Sequence, residues 1–184
     1  MLRRNLHFCS ETTRERAYFA LVRPYVEYAC SLWDPYTADH IKSIEMVQRR
    51  AVRFVYQNYK QEPGTVTGLL QKSNWLSLSS RRKICSMSFI YKMIHEEVDV
   101  PFNNFFRHKT TRTRNNHSLM IYRERPKKTT GVIVNSFYYK APVHWNDLTE
   151  NVVSAPSLES FKGRIGTLYR DREGLRANTN GSQQ

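Results

Sequence analysis

LVRPYVEYACSLWDPYTADHIKSIEMVQRRAVRFVYQNY, residues 21–59, decides the reading of the fold. Pro24 ends the apolar segment before it and starts a second short helix running toward Trp33, because its ring has no N–H to give and its fixed φ suits a first helical turn. Trp33-Asp34-Pro35 then reads as a turn. From Ile41 onward Ile44, Val47, Ala51, Phe54 and Val55 recur at three- and four-residue steps, which stacks them on one face of a long helix. Asp39 sits at its start, where a carboxylate caps the helix or complements its dipole. Lys42, Met46, Arg49 and Arg53 follow the same spacing on the opposite face, with Arg50 at the shoulder. Burying the apolar face contributes about 8–12 kcal/mol gross, whereas an ion pair from Glu45 to Arg49 contributes about 0.2–0.5 kcal/mol. Packing therefore holds this helix, and its basic stripe is left to face either solvent or a polyanion.

The whole chain tilts that choice. Its 184 residues carry 29 Lys+Arg against 16 Asp+Glu, a formal net charge of +13, which points to a nucleic-acid surface or, less often, an anionic membrane. At 40% hydrophobic and 12% aromatic residues it is too apolar for a disordered basic tail and long enough to bury a core. Cys9, Cys30 and Cys85 are odd in number and widely spaced, which speaks against a disulfide scaffold or a zinc module and for a reducing, intracellular compartment. No apolar run has the length of a membrane span. MLRRNLHFCS is Arg-rich, but it lacks the apolar core of a secretory signal and reads as the middle of a helix.

Flanking segments supply further helices. Residues 11–22 form one with Tyr18, Leu21 and Val22 inward, Val66–Gln71 a short one, and Ser77 or Ser79 caps another reaching Glu97. Ile84, Met87, Ile90, Tyr91 and Ile94 make the main apolar face of that helix, with Phe89 and Met93 on its other side, the pattern of a helix buried between neighbours. After Pro101 the character changes: Arg107, Lys109, Arg112, Arg114, Arg123, Arg125, Lys127 and Lys128 are accompanied by one acid, Glu124. Leu119–Arg125 suggests a strand with which Val132–Val134 pairs. Phe137, Ala141, His144, Trp145 and Leu148 have helical spacing around Pro142, and Pro156-Ser157 opens a last helix with Leu158, Phe161, Ile165, Leu168 and Tyr169 on one face. Past Arg170 the chain is polar and reads as a frayed, disordered tail. The fold class is therefore mainly α, with a short candidate β-hairpin and a C-terminal helix.

No catalytic constellation emerges. The aspartates are dispersed, whereas two-metal phosphoryl transfer needs carboxylates clustered around ions about 3.5–4 Å apart. There is no P-loop, dinucleotide-binding glycine turn or nucleophile elbow, and the histidines have no metal-ligand spacing. No cofactor or metal site is expected. Binding remains. Residues 107–128 interleave cations with His117 and Tyr122, close to Phe105 and Phe106, a mixture that suits phosphate neutralisation and base stacking. His117 itself reads as a solvated loop residue or a phosphate contact, and His144 as a packing residue. Arg81, Arg82 and Lys83 crowd the early turns of a helix, where the dipole disfavours cations. They either fan into solvent or meet a bound phosphate.

LVRPYVEYACSLWDP, IEMVQRRAVRF, RTRNNH, SFYYKAPVHWNDL and APSLESFKGRI occur in that order. Together they resemble the C-terminal part of the reverse transcriptases of non-LTR (LINE-type, jockey-like) retrotransposons, over about Leu2 to Leu168. The resemblance implies a thumb-like helical region at 1–60, a helical extension at 61–106 around a helix at about 78–97, a basic segment at 107–169 and a tail at 170–184. It implies a noncatalytic grip on RNA or an RNA/DNA primer–template, in contact with the palm and fingers of a parent polymerase and inside the cell, in the nucleus. Arg49, Arg50, Arg112, Arg114 and Trp145 fall at recurrent positions of the family. The family's Tyr/Phe-x-Asp-Asp metal motif does not occur here, so the isolated chain is expected not to be an enzyme. The candidate nucleic-acid contacts are Lys42, Arg49, Arg50, Arg53, Arg81, Arg82, Lys83, Arg112, Arg114, Arg123, Arg125, Lys127 and Lys128. The competing expectations are a helical protein-interaction module, with Leu2, Leu6, Phe8 and Phe19 as its surface, or a truncated element copy with no retained activity.

Overall fold

The computed structural model describes residues 2–109, 117–123 and 130–181, with side chains through residue 174. The chain is mainly helical. In order come α1 (Leu2–Asn5), α2 (Glu11–Leu21), α3 (Arg23–Glu27), α4 (Cys30–Trp33), α5 (Ala38–Tyr56), α6 (Thr65–Ser73), α7 (Leu78–Ile94), β1 (Arg107–His108), β2 (Ile121–Tyr122), α8 (Gly131–Val134), α9 (Phe137–Asn146), α10 (Glu150–Val153) and α11 (Leu158–Gly181). Among the described residues no helix is long and apolar enough to cross a membrane. Two compact units divide the chain, Met1–Cys30 with Pro35–Arg81 and Ser31–Asp34 with Arg82–Gln184. The division falls inside α7.

In the first unit α5 packs on α2 and α6. Ser10 caps α2 by accepting the Thr13 N–H at 3.2 Å. Tyr18 is buried and stacks on Trp75, ring centroids 4.9 Å apart, and Trp75 Nε1 donates to Glu15 at 2.9 Å. Burial pushes the Tyr18 phenol up to about 12. Leu21, expected inside, is exposed, since Tyr18 holds the inward position of that helix. The buried residues of α5 are Gln48, Ala51, Val52 and Val55, so its inward face is rotated toward Gln48 and Val52 relative to the apolar spacing. The reason is long-range: Gln48 Nε2 donates to the Leu76 carbonyl at 3.0 Å, which gives the NH₂ end of the buried amide an acceptor, while its Oε1 is buried without a partner. Arg14 is buried in the same manner, its guanidinium donating to the carbonyls of Val55, at 2.8 Å, and Cys9.

Glu45 does not serve as the intrahelical partner of Arg49. Its carboxylate accepts the N–H groups of Leu78 and Ser79 at 3.2 and 2.7 Å, while Ser77 Oγ accepts that of Ser80 at 3.1 Å. The first turn of α7 is thus capped by a side chain reaching from α5, with a negative charge at the positive end of the dipole. Glu45→Ala leaves two backbone donors without their acceptor and is expected to destabilise the chain by about 1–2 kcal/mol. Glu45→Gln, which still accepts, should lose less. Chemical denaturation of the two variants checks this, and equal stability of Glu45→Ala and wild type would contradict it.

The second unit buries Met87, Ile90, Tyr91 and Met93 of α7 together with Phe106, Ile121, Trp145, Leu148, Phe161 and Ile165. Tyr91 donates its hydroxyl proton to the Ala155 carbonyl at 2.8 Å. Phe161 stacks on Tyr91 at 4.7 Å and on Trp145 at 5.8 Å. The hairpin pairs β2 with β1, Arg107 opposite Tyr122 and His108 opposite Ile121, rather than with Val132–Val134, which lies in α8. A short apolar run does not separate strand from helix by pattern alone. Ser157 Oγ accepts the Ser160 N–H at 3.2 Å at the start of α11, with Phe161, Ile165 and Tyr169 buried. That helix continues to Gly181, past the point near Arg170 where polar composition suggested a disordered tail.

Candidate nucleic-acid interface

The basic stripe of α5 lies opposite its buried face. Lys42, Arg49 and Arg50 are exposed and Arg53 is half-buried. A groove of about 580 Å³ runs alongside, lined by Leu2, Arg3, Tyr18, Val22, Val47, Arg50, Ala51, Arg53, Phe54 and Tyr59. Its floor is aliphatic and aromatic, three arginines edge it, and no carboxylate is among its lining residues. The Arg3 guanidinium stacks over the Tyr59 ring at 4.0 Å, and Arg53 Nε is buried without a hydrogen-bond partner. Val47 and Phe54, half-buried, therefore serve the groove wall as much as the core. Arg3 and Tyr59 were not legible as site residues, because no spacing rule connects positions so far apart in sequence.

A second groove, about 650 Å³, is lined by Glu96, Glu97, Asp99 and His108 among others. Its carboxylates repel a polyanion, so it is not the candidate. Among the described residues no group of His, Cys, Asp and Glu comes together in a way that would hold a metal ion.

The Arg81-Arg82-Lys83 run is divided by its partners. Arg81 makes a two-pronged ion pair with Glu27, Nη2 to Oε2 at 2.8 Å, and Arg23 approaches the same carboxylate at 3.5 Å. Arg82 is only 2% exposed and donates from Nε to Asp34 at 2.8 Å. Lys83 is half-buried and acts electrostatically on His144. Arg81 and Arg82 therefore do not fan into solvent but each meet a carboxylate of the chain. The anions that offset the dipole conflict are Glu27, Asp34 and Glu45 of the chain itself. Arg123 lies over Tyr138 and Tyr139, 4.8 and 5.3 Å from the ring centroids, a cation–π arrangement that occupies its guanidinium face. Arg112, Arg114, Arg125, Lys127 and Lys128 lie outside the described residues.

Residues 117–123 are held by the block HWND. Trp145 Nε1 donates to the Leu119 carbonyl at 2.8 Å, and the Trp145 carbonyl lies 3.0 Å from His117 Nε2. Asn146 imitates a neighbouring strand: it accepts the Ile121 N–H at 2.9 Å and donates to the Ile121 carbonyl at 2.7 Å. Glu150 accepts the Ser118 N–H and hydroxyl at 2.7 and 2.8 Å, which draws its carboxyl below the ordinary range. His117 is buried, neither solvated nor a surface phosphate contact, and that burial lowers its pKa. It holds the clamp rather than a ligand.

No protein-family model, curated protein or solved structure matches the chain.

Proposed function

We propose that the chain binds nucleic acid, RNA or an RNA/DNA primer–template, through the basic face of α5 and the groove beside it, as a noncatalytic grip of the kind found in non-LTR retrotransposon reverse transcriptases. One observation carries the reading: Arg3, Arg50 and Arg53 edge an apolar groove that also contains Phe54 and Tyr59 and no carboxylate. Single strands are held in this way, with cations tracking the backbone and rings stacking bases at about 1–3 kcal/mol each. Lys42 and Arg49 extend the positive surface along the helix, and the net charge of +13 gives long-range attraction of the matching sign. The ordered blocks from LVRPYVEYACSLWDP to APSLESFKGRI add the retrotransposon context.

Amide shift mapping by NMR during titration with a short RNA tests the location. Saturable shifts should cluster at Arg3, Lys42, Arg49, Arg50 and Tyr59. Shifts absent from all of these residues would overturn the assignment.

A second reading, a protein-docking module, is favoured by a different face. Tyr25 and Tyr28 are 83% and 79% exposed, and Leu21 is exposed beside them in the chain. Of the side chains expected to form such a surface, Phe8 is exposed, Leu2 lines the basic groove, and Phe19 packs on Trp75 and under Arg23.

A further inference from the structure

Within the first unit, the groove beside α5 is a different kind of surface from the helix face next to it. Lys42 and Arg49 stand exposed on the outside of the helix. The groove is a concavity of about 580 Å³ whose lining includes Val22, Val47, Ala51 and Phe54. A concavity of that size suits a small organic group rather than a bare ion. At its edge the Arg3 guanidinium covers the Tyr59 ring at 4.0 Å, and both side chains are exposed. The segment that carries Arg3 is fastened to the C-terminal end of α5. Gln57 Nε2 donates to the His7 carbonyl, and Arg14, whose Nε donates to the Val55 carbonyl at 2.8 Å, donates to the Cys9 carbonyl as well. The two flat groups are thus brought together before any ligand arrives, which lowers the ordering cost of binding.

Resting on the reading that this face binds nucleic acid, we infer that the groove receives an unpaired base of a single-stranded segment, stacked on Tyr59 and the Arg3 guanidinium, and does not admit paired bases. Three arginines edge the groove and no carboxylate is among its lining residues, so the matching occupant is anionic at the rim, flat and apolar within. A nucleotide divides in that way, phosphate outside and planar base inside. In a duplex the phosphates still reach the rim, but the base faces are hidden in the stack, and an A-form helix offers only a shallow minor groove and a major groove too narrow for side chains to read. The apolar floor then stays uncovered, and counterion release alone supports binding. An unpaired base adds stacking on an aromatic ring or a guanidinium plane, which strengthens binding by about 5- to 150-fold per base. Every base has a π-face, so the preference is for unpaired strand and not for sequence.

The test measures, by fluorescence anisotropy at ~0.1 M salt, binding of the full chain to a blunt RNA duplex, to the same duplex with a short unpaired overhang, and to one whose overhang is abasic. The abasic overhang keeps the phosphates and removes the bases. The overhang with bases should bind at least about fivefold more tightly than the abasic one. Tyr59→Leu keeps apolar bulk without a flat face and should remove most of that difference, whereas Tyr59→Phe should keep it. Lys42→Gln/Arg49→Gln should weaken binding to every duplex and leave the ratio between the two overhangs unchanged, because neither side chain lines the groove. Equal binding of the two overhangs, or a difference that Tyr59→Leu retains in full, overturns the inference. If binding in that case still falls with salt, the nucleic-acid reading of the α5 face stands without it. No binding to any of the duplexes overturns both.

Discussion

Trp145→Ala is expected to lower the melting temperature of the chain by about 10–20 °C, from a loss of about 3–5 kcal/mol. Trp145 is fully buried and stacks on Phe161. Truncation removes the largest side chain of that core and leaves the Leu119 carbonyl without the indole donor it now has at 2.8 Å. The damage spreads because residues 117–123 are held from the same short block, by the Trp145 carbonyl at His117 and by Asn146 along Ile121. Trp145→Phe refills part of the volume and should recover part of the loss, but not the hydrogen bond. Melting followed by circular dichroism checks both variants. A Trp145→Ala melt within a few degrees of wild type would show that the clamp does not hold the unit together.

The second large effect concerns binding. Lys42→Gln/Arg49→Gln/Arg50→Gln is expected to weaken RNA binding about 10- to 100-fold at ~0.1 M salt while leaving the fold intact. All three side chains are exposed, and exposed substitutions away from caps and buried partners change stability little. Arg81→Gln offers the contrast. Its guanidinium is engaged by Glu27, so it should alter stability more than affinity. If both variants lose the same affinity per charge removed, the α5 face has no special role and net charge alone governs binding.

Helical periodicity carried most of the architecture in legible form. The spacing of Ile44, Ala51 and Val55, of Met87, Ile90 and Tyr91, and of Phe161, Ile165 and Tyr169 placed α5, α7 and α11, because amphipathic helices write their burial into local sequence. What it missed was set by partners distant in the chain. Gln48 is inside because of the Leu76 carbonyl, and Arg14 because of Val55. Neither acceptor is visible from the residue types around these positions. The basic residues divide along the same line. Lys42, Arg49 and Arg50 stay on the surface as their helical phase dictates, whereas Arg81 and Arg82 are consumed by Glu27 and Asp34, 54 and 48 residues away. Charge runs reveal where cations are, but only the fold reveals which are already neutralised. The groove depended on both, since α5 supplied Arg50 and Arg53 in expected phase and Arg3 and Tyr59 arrived from outside it.

The most direct measurement of the central claim is the salt dependence of RNA binding, by fluorescence anisotropy, for the wild type and the α5 triple variant. Contacts from Arg3, Lys42, Arg49, Arg50 and Arg53 predict a log–log slope of about −3.5 to −4.5 for the wild type, reduced in magnitude by about 2–3 in the variant. A wild-type slope near zero, or the same slope in both proteins, would contradict the account.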